Sequence, residues 1–203
     1  MDFWNDQLTE KSWNLLLEIK KQPFDFVLIG GWAAYLWTKL HKSKDIDIVL
    51  ASIKDIDYLK SQYDLRKDDN LKKYEIKFGE IGLDIYVPFY SKLAIPPEDI
   101  KNLSTKIENI MVAIPEALLI LKQGAELDRK ASVKGQKDRV DIMALLCFVD
   151  IDFKKYNELL EKYHLGNFRQ RLKEIINGFA ELQYLNLNPR EFKLKKKELL
   201  KKI

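Results

Sequence analysis

The chain has 203 residues, of which 46% are hydrophobic and 33% charged, and its net charge is +4. This length and balance suit a folded chain with one sizeable core, alone or with a helical extension, and exclude a disordered chain. No run of about eighteen apolar residues is present, and the first residues include acids, so we expect neither a membrane span nor a signal peptide. The single cysteine, Cys147, lies in an apolar run and cannot form an internal disulfide, so we expect a buried thiol in a cytoplasmic protein.

The hydrophobic pattern changes near residue 113: strand-like and helix-like segments alternate before it, and only helix-like segments follow it. In the first part we predict helices at 3–21, 32–40 and 53–63 and strands at 24–29, 45–51, 74–78 and 83–87. In the second part we predict helices at 116–129, 137–149, 153–163, 167–185 and from 189 onward. The last two strands should form a hairpin through residues 79–82. The predicted fold is α+β, with a small mixed sheet flanked by helices over 1–113 and a helical bundle over 114–203.

A pair of glycines, Gly30 and Gly31, separates the first predicted strand from the next helix. Glycine lets backbone come close to a ligand, and a helix N-terminus offers free N–H groups to an anion. Because Gly-Gly before a helix is often only a tight turn, this pattern is weak by itself. The chain between Gly31 and Asp45 is long enough for a helix and a return loop, so the glycines and that aspartate could face one cleft.

Three aspartates interrupt apolar strands. Asp45 and Asp47 are two residues apart, so their side chains share a face of the strand while Ile46 and Ile48 point the other way. Neighbouring carboxylates repel, and a divalent cation removes that cost; Mg²⁺ prefers carboxylate and phosphate oxygens. If the strand with Asp84 pairs beside them, three carboxylates meet. The alternatives are an edge strand whose acids face water and a strand-end Asp84 that is bonded locally.

The order of these residues resembles the polymerase-β-like nucleotidyltransferase superfamily. Its pattern is an apolar residue and two small residues, a spacer, then Asp-apolar-Asp-apolar and a later third acid. The matching residues are Ile29, Gly30, Gly31, Asp45, Ile46, Asp47, Ile48 and Asp84. The stretches GGWAAYLW and HKSKDIDIV most resemble the aminoglycoside and lincosamide nucleotidyltransferases and the abortive-infection-type toxin nucleotidyltransferases of prokaryotes. Residues 114–146 are similar to a later segment of the toxin group.

The resemblance implies an enzyme that moves a nucleoside monophosphate from a nucleoside triphosphate to an acceptor hydroxyl. Asp45, Asp47 and Asp84 would be its catalytic residues and would hold Mg²⁺ or Mn²⁺. Gly30 and Gly31 would bind the leaving phosphates through their backbone.

The resemblance also points to lysines for the remaining charge of the triphosphate, namely Lys44, Lys122 and Lys137. Lysines at such positions are more often solvated surface residues, which is the alternative for each of the three. Many relatives carry an arginine where this chain has Lys44 and its neighbours, so the contact there is less constrained. Asp138 and Asp141 are expected to cap or stabilise the helix they open, and the alternative for both is a role in the site.

The acceptor is left open by the sequence: RNA, a protein hydroxyl and a small molecule all remain. The lysine-rich C-terminal segment, residues 193–202, mildly favours RNA. The alternative function is a non-catalytic nucleotide-binding protein, or a toxin–antitoxin partner with an antitoxin-like protein bound, that keeps the same fold. The presence of all three acids favours an active enzyme.

Overall fold

The computed structural model describes residues 5–203, and the chain forms two compact units with the boundary between Ile114 and Pro115. The first unit contains a mixed sheet and helices, and the second is helical, which confirms the predicted α+β class. The expectation that 1–113 is the catalytic domain and 114–203 a helical C-terminal domain stays a prediction. Among the described helices, none combines the length and the apolar character needed to cross a membrane.

The first unit alternates strands and helices. Its strands are β1 Phe26–Ile29, β2 Ile46–Leu50, β3 Arg66–Asp68, β4 Lys73–Phe78, β5 Ile81–Tyr86, β6 Ser104–Ile107 and β7 Ile110–Ala113. Its helices are α1 Asp6–Ile19, α2 Gly30–Thr38, α3 Asp55–Gln62 and α4 Pro97–Ile100. Four of these strands and the first three helices were predicted; β3, β6, β7 and α4 were not. The predicted start of α1 at residue 3 lies outside the described residues.

The seven strands form one sheet in the order β3-β4-β5-β2-β1-β7-β6. The pairs β2–β5 and β1–β7 are parallel, and the other neighbours are antiparallel. This order puts the Asp45–Asp47 strand next to the Asp84 strand, a pairing that the sequence made possible but did not determine.

One face of β2 and β5 is the core of the first unit. Ile46, Ile48, Leu83 and Ile85 are each at most 1% exposed. Because side chains alternate along a strand, the residues between these four must lie on the opposite face. Helix α2 is also anchored in this unit, since the fully buried Trp32 donates a hydrogen bond from Nε1 to Ser12 Oγ in α1 at 2.9 Å.

The second unit consists of helices α5 Pro115–Arg129, α6 Val133–Phe148, α7 Phe153–Lys162, α8 Asn167–Gly178 and α9 Pro189–Lys202. The prediction of one helix over 167–185 was wrong: α8 ends at Gly178, Phe179 is extended, and a short 3₁₀ turn follows at Leu182–Leu185. Cys147 is buried, and burial raises the pKa of its thiol to about 11, which confirms the prediction of a buried thiol.

Candidate active site

Four carboxylates lie on one face of the central strands, which we call the acidic face: Asp45, Asp47, Glu75 and Asp84. The parallel register of β2 and β5 pairs Asp47 with Asp84. The antiparallel register of β4 and β5 pairs Glu75 with Asp84. Paired residues on neighbouring strands point to the same face, so strand pairing alone brings three of the four together.

Asp45 joins this face at the start of β2. Its Oδ1 accepts a hydrogen bond from the backbone N–H of Gly82 at 3.1 Å. A Cβ added at Gly82 would lie 3.4 Å from that oxygen and 3.6 Å from Glu75 Oε1. The carboxylates of Asp45 and Glu75 therefore flank the same glycine. The structure thus brings together the three predicted aspartates and adds Glu75, which was not predicted from the sequence.

Asp47 lies against the first turn of α2. Gly30 has φ +67°, and a Cβ added there would lie 2.6 Å from Asp47 Cγ and 2.8 Å from Asp47 Cβ. These distances are overlaps, so only glycine leaves room for this side chain. The Asp47 side chain therefore lies against the N-terminus of α2, which carries partial positive charge. Gly31, the second predicted glycine, is buried inside the same turn.

Asp84 has a cation beside it already. Lys73, on β4, places Nζ 2.5 Å from Asp84 Oδ2, and the two side chains are only 13% and 19% exposed. Burial raises the pKa of the Asp84 carboxyl, and the charges of Glu75 and Asp45 raise it further, while Lys73 acts in the opposite direction. The hydrogen bond and charge of the Lys73 ammonium therefore oppose the rise in the pKa of Asp84 that burial causes.

The donors on the acidic face fit a hard divalent cation by type, since all are carboxylate oxygens on one surface. The Lys73 ammonium also stands where a cation would meet Asp84. Within residues 5–203, however, no three Asp, Glu, His or Cys side chains are already gathered closely enough to hold a metal ion. Asp45 is engaged by Gly82 and Asp84 by Lys73, so metal binding would require these side chains to exchange partners.

The three predicted phosphate-binding lysines fall in different units. Lys44 is half-buried and directly precedes Asp45 in the first unit. In the second unit, Lys137 is half-buried on α6 and Lys122 is buried on α5. Lys122 Nζ lies 2.5 Å from Asp141 Oδ2 and 3.3 Å from Asp138 Oδ1, so its charge is neutralised there. Nucleotide binding by these three lysines stays a prediction.

Asp138 and Asp141 neither open nor cap a helix, so that part of the expectation was wrong. Helix α6 begins at Val133, and Ser132 is its N-cap, accepting a hydrogen bond from Gly135 N. Both aspartates therefore lie inside the helix, where they are buried and pair with Lys122. The helix predicted over 137–149 begins four residues earlier, at Val133, so both aspartates lie beyond its first turn.

Several solved structures are similar to this chain over most of its length. A nucleotidyltransferase-like antigenic protein from Paracoccidioides brasiliensis is 17% identical, with 84% of this chain and 92% of that chain covered and a TM-score of 0.45. The lincosamide antibiotic adenylyltransferase LnuA, solved with lincomycin bound, is 20% identical, with 71% and 98% covered and a TM-score of 0.43. JHP933 from Helicobacter pylori is 18% identical, with 97% and 95% covered and a TM-score of 0.47. No family model and no curated protein matches the chain.

Proposed function

We propose that this protein transfers a nucleoside monophosphate from a nucleoside triphosphate to an acceptor hydroxyl, using Mg²⁺ or Mn²⁺ at the acidic face. The observation that carries the proposal is the pairing of Asp47 with Asp84 beside the first turn of α2. Four half-buried acids share one surface on which Lys73 pairs with Asp84, so a divalent cation would further reduce their repulsion, and a helix N-terminus is a ready site for phosphate. A triphosphate with a bound metal ion supplies both: the metal ion for the carboxylates and a phosphate group for the helix N-terminus.

The residues of the first unit have distinct tasks in this proposal. Asp45, Asp47 and Asp84 would hold the cation, which supplies positive charge to the reacting phosphoryl group and makes the acceptor hydroxyl more acidic. The backbone N–H groups at Gly30 and Gly31 would donate hydrogen bonds to phosphate oxygens of the leaving group. Asp47 keeps its own charge stabilised by the same helix end.

The transfer step is an in-line displacement. The acceptor oxygen forms a bond to the α-phosphorus, the bond from that phosphorus to the bridging oxygen breaks, and pyrophosphate leaves. In this proposal Asp84 would also accept the proton of the acceptor hydroxyl, since it is a carboxylate on the face where the cation would hold that hydroxyl. The Lys73 ammonium would have to move away from the Asp84 carboxylate before that proton transfer.

Labelled transfer tests this function and separates it from the non-catalytic alternative. The full chain is incubated with each of the four α-labelled triphosphates and with total RNA or total protein, in Mg²⁺, in Mn²⁺ or in chelator. We expect label in one of the acceptor pools with metal and none in chelator. Triphosphate binding without transfer to any acceptor, small molecules included, would support the non-catalytic alternative.

We propose RNA as the acceptor because one helix carries a row of exposed lysines. Helix α9 is held by the buried Phe192 and Leu199, and its lysines at 193, 197 and 201 are all exposed. A spacing of four residues puts these three on one stripe of the helix. A stripe of this kind binds phosphates electrostatically, without base recognition.

Replacing the three stripe lysines by glutamine should weaken RNA binding and lower its salt dependence, while triphosphate affinity stays unchanged. Each phosphate that the protein no longer neutralises lowers the slope of log affinity against log salt by about 0.7 for single strands. Filter binding across a salt series measures both quantities. Because Phe192 and Leu199 are kept, these substitutions are a cleaner test than deleting the helix. An unchanged slope would leave the stripe as a solvated face, and the acceptor would then be sought among proteins and small molecules.

The cytoplasmic location and an antitoxin-like partner stay predictions.

A further inference from the structure

Lys73 contacts a carboxylate of the acidic face that is not its register partner. Its register partner is Asp68 on β3, and the register partner of Asp84 is Glu75. The Lys73 side chain reaches diagonally across the strands to the carboxylate of Asp84. Lys77, two residues along β4 from Glu75, gives the contrast: its ammonium is 3.9 Å from Glu75 Oε1, and its side chain is 58% exposed.

We infer that Lys73 is the built-in counter-cation of Asp84, and that a divalent cation must displace it to bind at the acidic face. The inference rests on the function proposed above and adds a regulatory residue to it. The ammonium satisfies the oxygen of Asp84 that a metal ion would need, and it repels a second positive charge close by. Lys73 therefore lowers the affinity of the site for free metal ions.

A triphosphate would change this balance. Its phosphate oxygens offer the Lys73 ammonium another partner, and a lysine side chain is long and flexible enough to exchange between them. The metal ion would then take the vacated oxygen of Asp84. By this route Lys73 couples metal binding to nucleotide binding, so that the site fills with metal and nucleotide together.

A purely structural role for Lys73 leads to the opposite expectation. If the pair only ties β4 to β5, then removing the lysine frees Asp84 to move, and metal affinity stays the same or falls. If Lys73 competes with the metal, removing it strengthens metal binding. Two unit charges a few ångströms apart interact strongly enough at a protein surface for the effect to reach about tenfold.

The experiment measures Mn²⁺ binding to the full chain without nucleotide, from the electron paramagnetic resonance signal of the free ion. We expect Lys73→Met to lower the Kd for Mn²⁺ about tenfold. Lys73→Gln serves as a second variant if the first does not fold, and Lys73→Arg should restore the weaker wild-type affinity. Lys77→Met is the matched control, because it removes the same charge from the same strand and face. It should change the Kd by less than about twofold.

Asp47→Asn distinguishes failure of this inference from failure of the proposed function. Tighter Mn²⁺ binding in the Lys73 variants, with Lys77→Met unchanged, supports the inference. Equal or weaker binding in the Lys73 variants overturns it, and the proposed function stands if Asp47→Asn abolishes binding. If no variant binds Mn²⁺, or Asp47→Asn binds as well as the wild type, both the inference and the metal at the acidic face are overturned.

Discussion

Asp47→Asn should abolish nucleotide transfer while leaving the protein folded. Asparagine has the shape of aspartate but no charge, so it removes a ligand of the proposed cation without creating a cavity. We expect the transfer rate to fall by at least about a thousandfold, which corresponds to roughly 4 kcal/mol of lost transition-state stabilisation. The labelled-transfer assay, run with the acceptor that the wild type uses, measures the loss.

The stability of the Asp47 variant should change little, because two effects oppose each other. Removing the charge relieves repulsion with the paired Asp84, but it also removes a favourable interaction with the N-terminus of α2. Each effect is worth about 1 kcal/mol or less at a half-buried site. A thermal melt without metal checks this, and Asp57→Asn, on the exposed surface of α3, is the matched control. A variant that is clearly destabilised yet still transfers nucleotide would show that Asp47 is structural.

Much of the acidic face could be predicted because polar and apolar residues alternate, with a period of two, along its strands. Asp45 and Asp47 alternate with Ile46 and Ile48. The sequence therefore predicts which of these residues face the core and which lie on the opposite face. The same alternation in LDIY places Asp84 opposite its apolar neighbours. The pairing of β2 with β5 could not be predicted in this way, because strand order depends on the packing of the whole sheet.

Glu75 and Lys73 were missed because the predicted hairpin loop had the wrong length. A loop at residues 79–82, as predicted from the sequence, would pair Asp84 with Lys77. The actual loop is Gly79–Glu80, so that Phe78 pairs with Ile81 and Glu75 with Asp84. A shift by two residues keeps each side chain on its face but changes its partner. The face was therefore predictable, and the contacts within it were not.

The hairpin of β6 and β7 was missed for a different reason. Its two strands have only four residues each, and its turn residues are Glu108 and Asn109. Both have positive φ, as a tight two-residue hairpin turn requires, but Glu-Asn is not the usual Asn-Gly signal. Short strands joined by an atypical turn leave little for a pattern to detect, and their place beside β1 comes from tertiary packing.

Gly30→Ala should be the most destabilising of the substitutions considered. The alanine would need a positive φ, which costs about 1–2 kcal/mol for an L-residue. Its Cβ would also overlap Asp47, lying 2.6 Å from Cγ and 2.8 Å from Cβ, so the carboxylate and the strand behind it must shift. We expect a total loss of roughly 3 kcal/mol or more in the free energy of unfolding, with Mn²⁺ binding lost as well.

Gly79→Ala is the matched control, because the two glycines differ in one respect. Gly79 also has positive φ, at +61°, but a Cβ added there meets no atom within 4 Å. Its substitution should therefore cost only the backbone strain, about 1–2 kcal/mol. Chemical denaturation of both variants measures the difference, which isolates the close approach of Gly30 to Asp47. Equal losses in the two variants would contradict the tight contact.

A double substitution tests whether the strain at Gly30 comes from the Asp47 side chain itself. Asp47→Ala removes the Cγ and carboxylate atoms that the new Cβ of Gly30→Ala would overlap, and leaves only the 2.8 Å contact with Cβ. The double variant should therefore lose less stability than the sum of the two single losses, by about 1 kcal/mol or more. Additive losses would place the cost of Gly30→Ala in the backbone alone. Coupling would show that the glycine is required because the chain brings its helix N-terminus against a carboxylate, which is the arrangement on which the proposed phosphate and metal site depends.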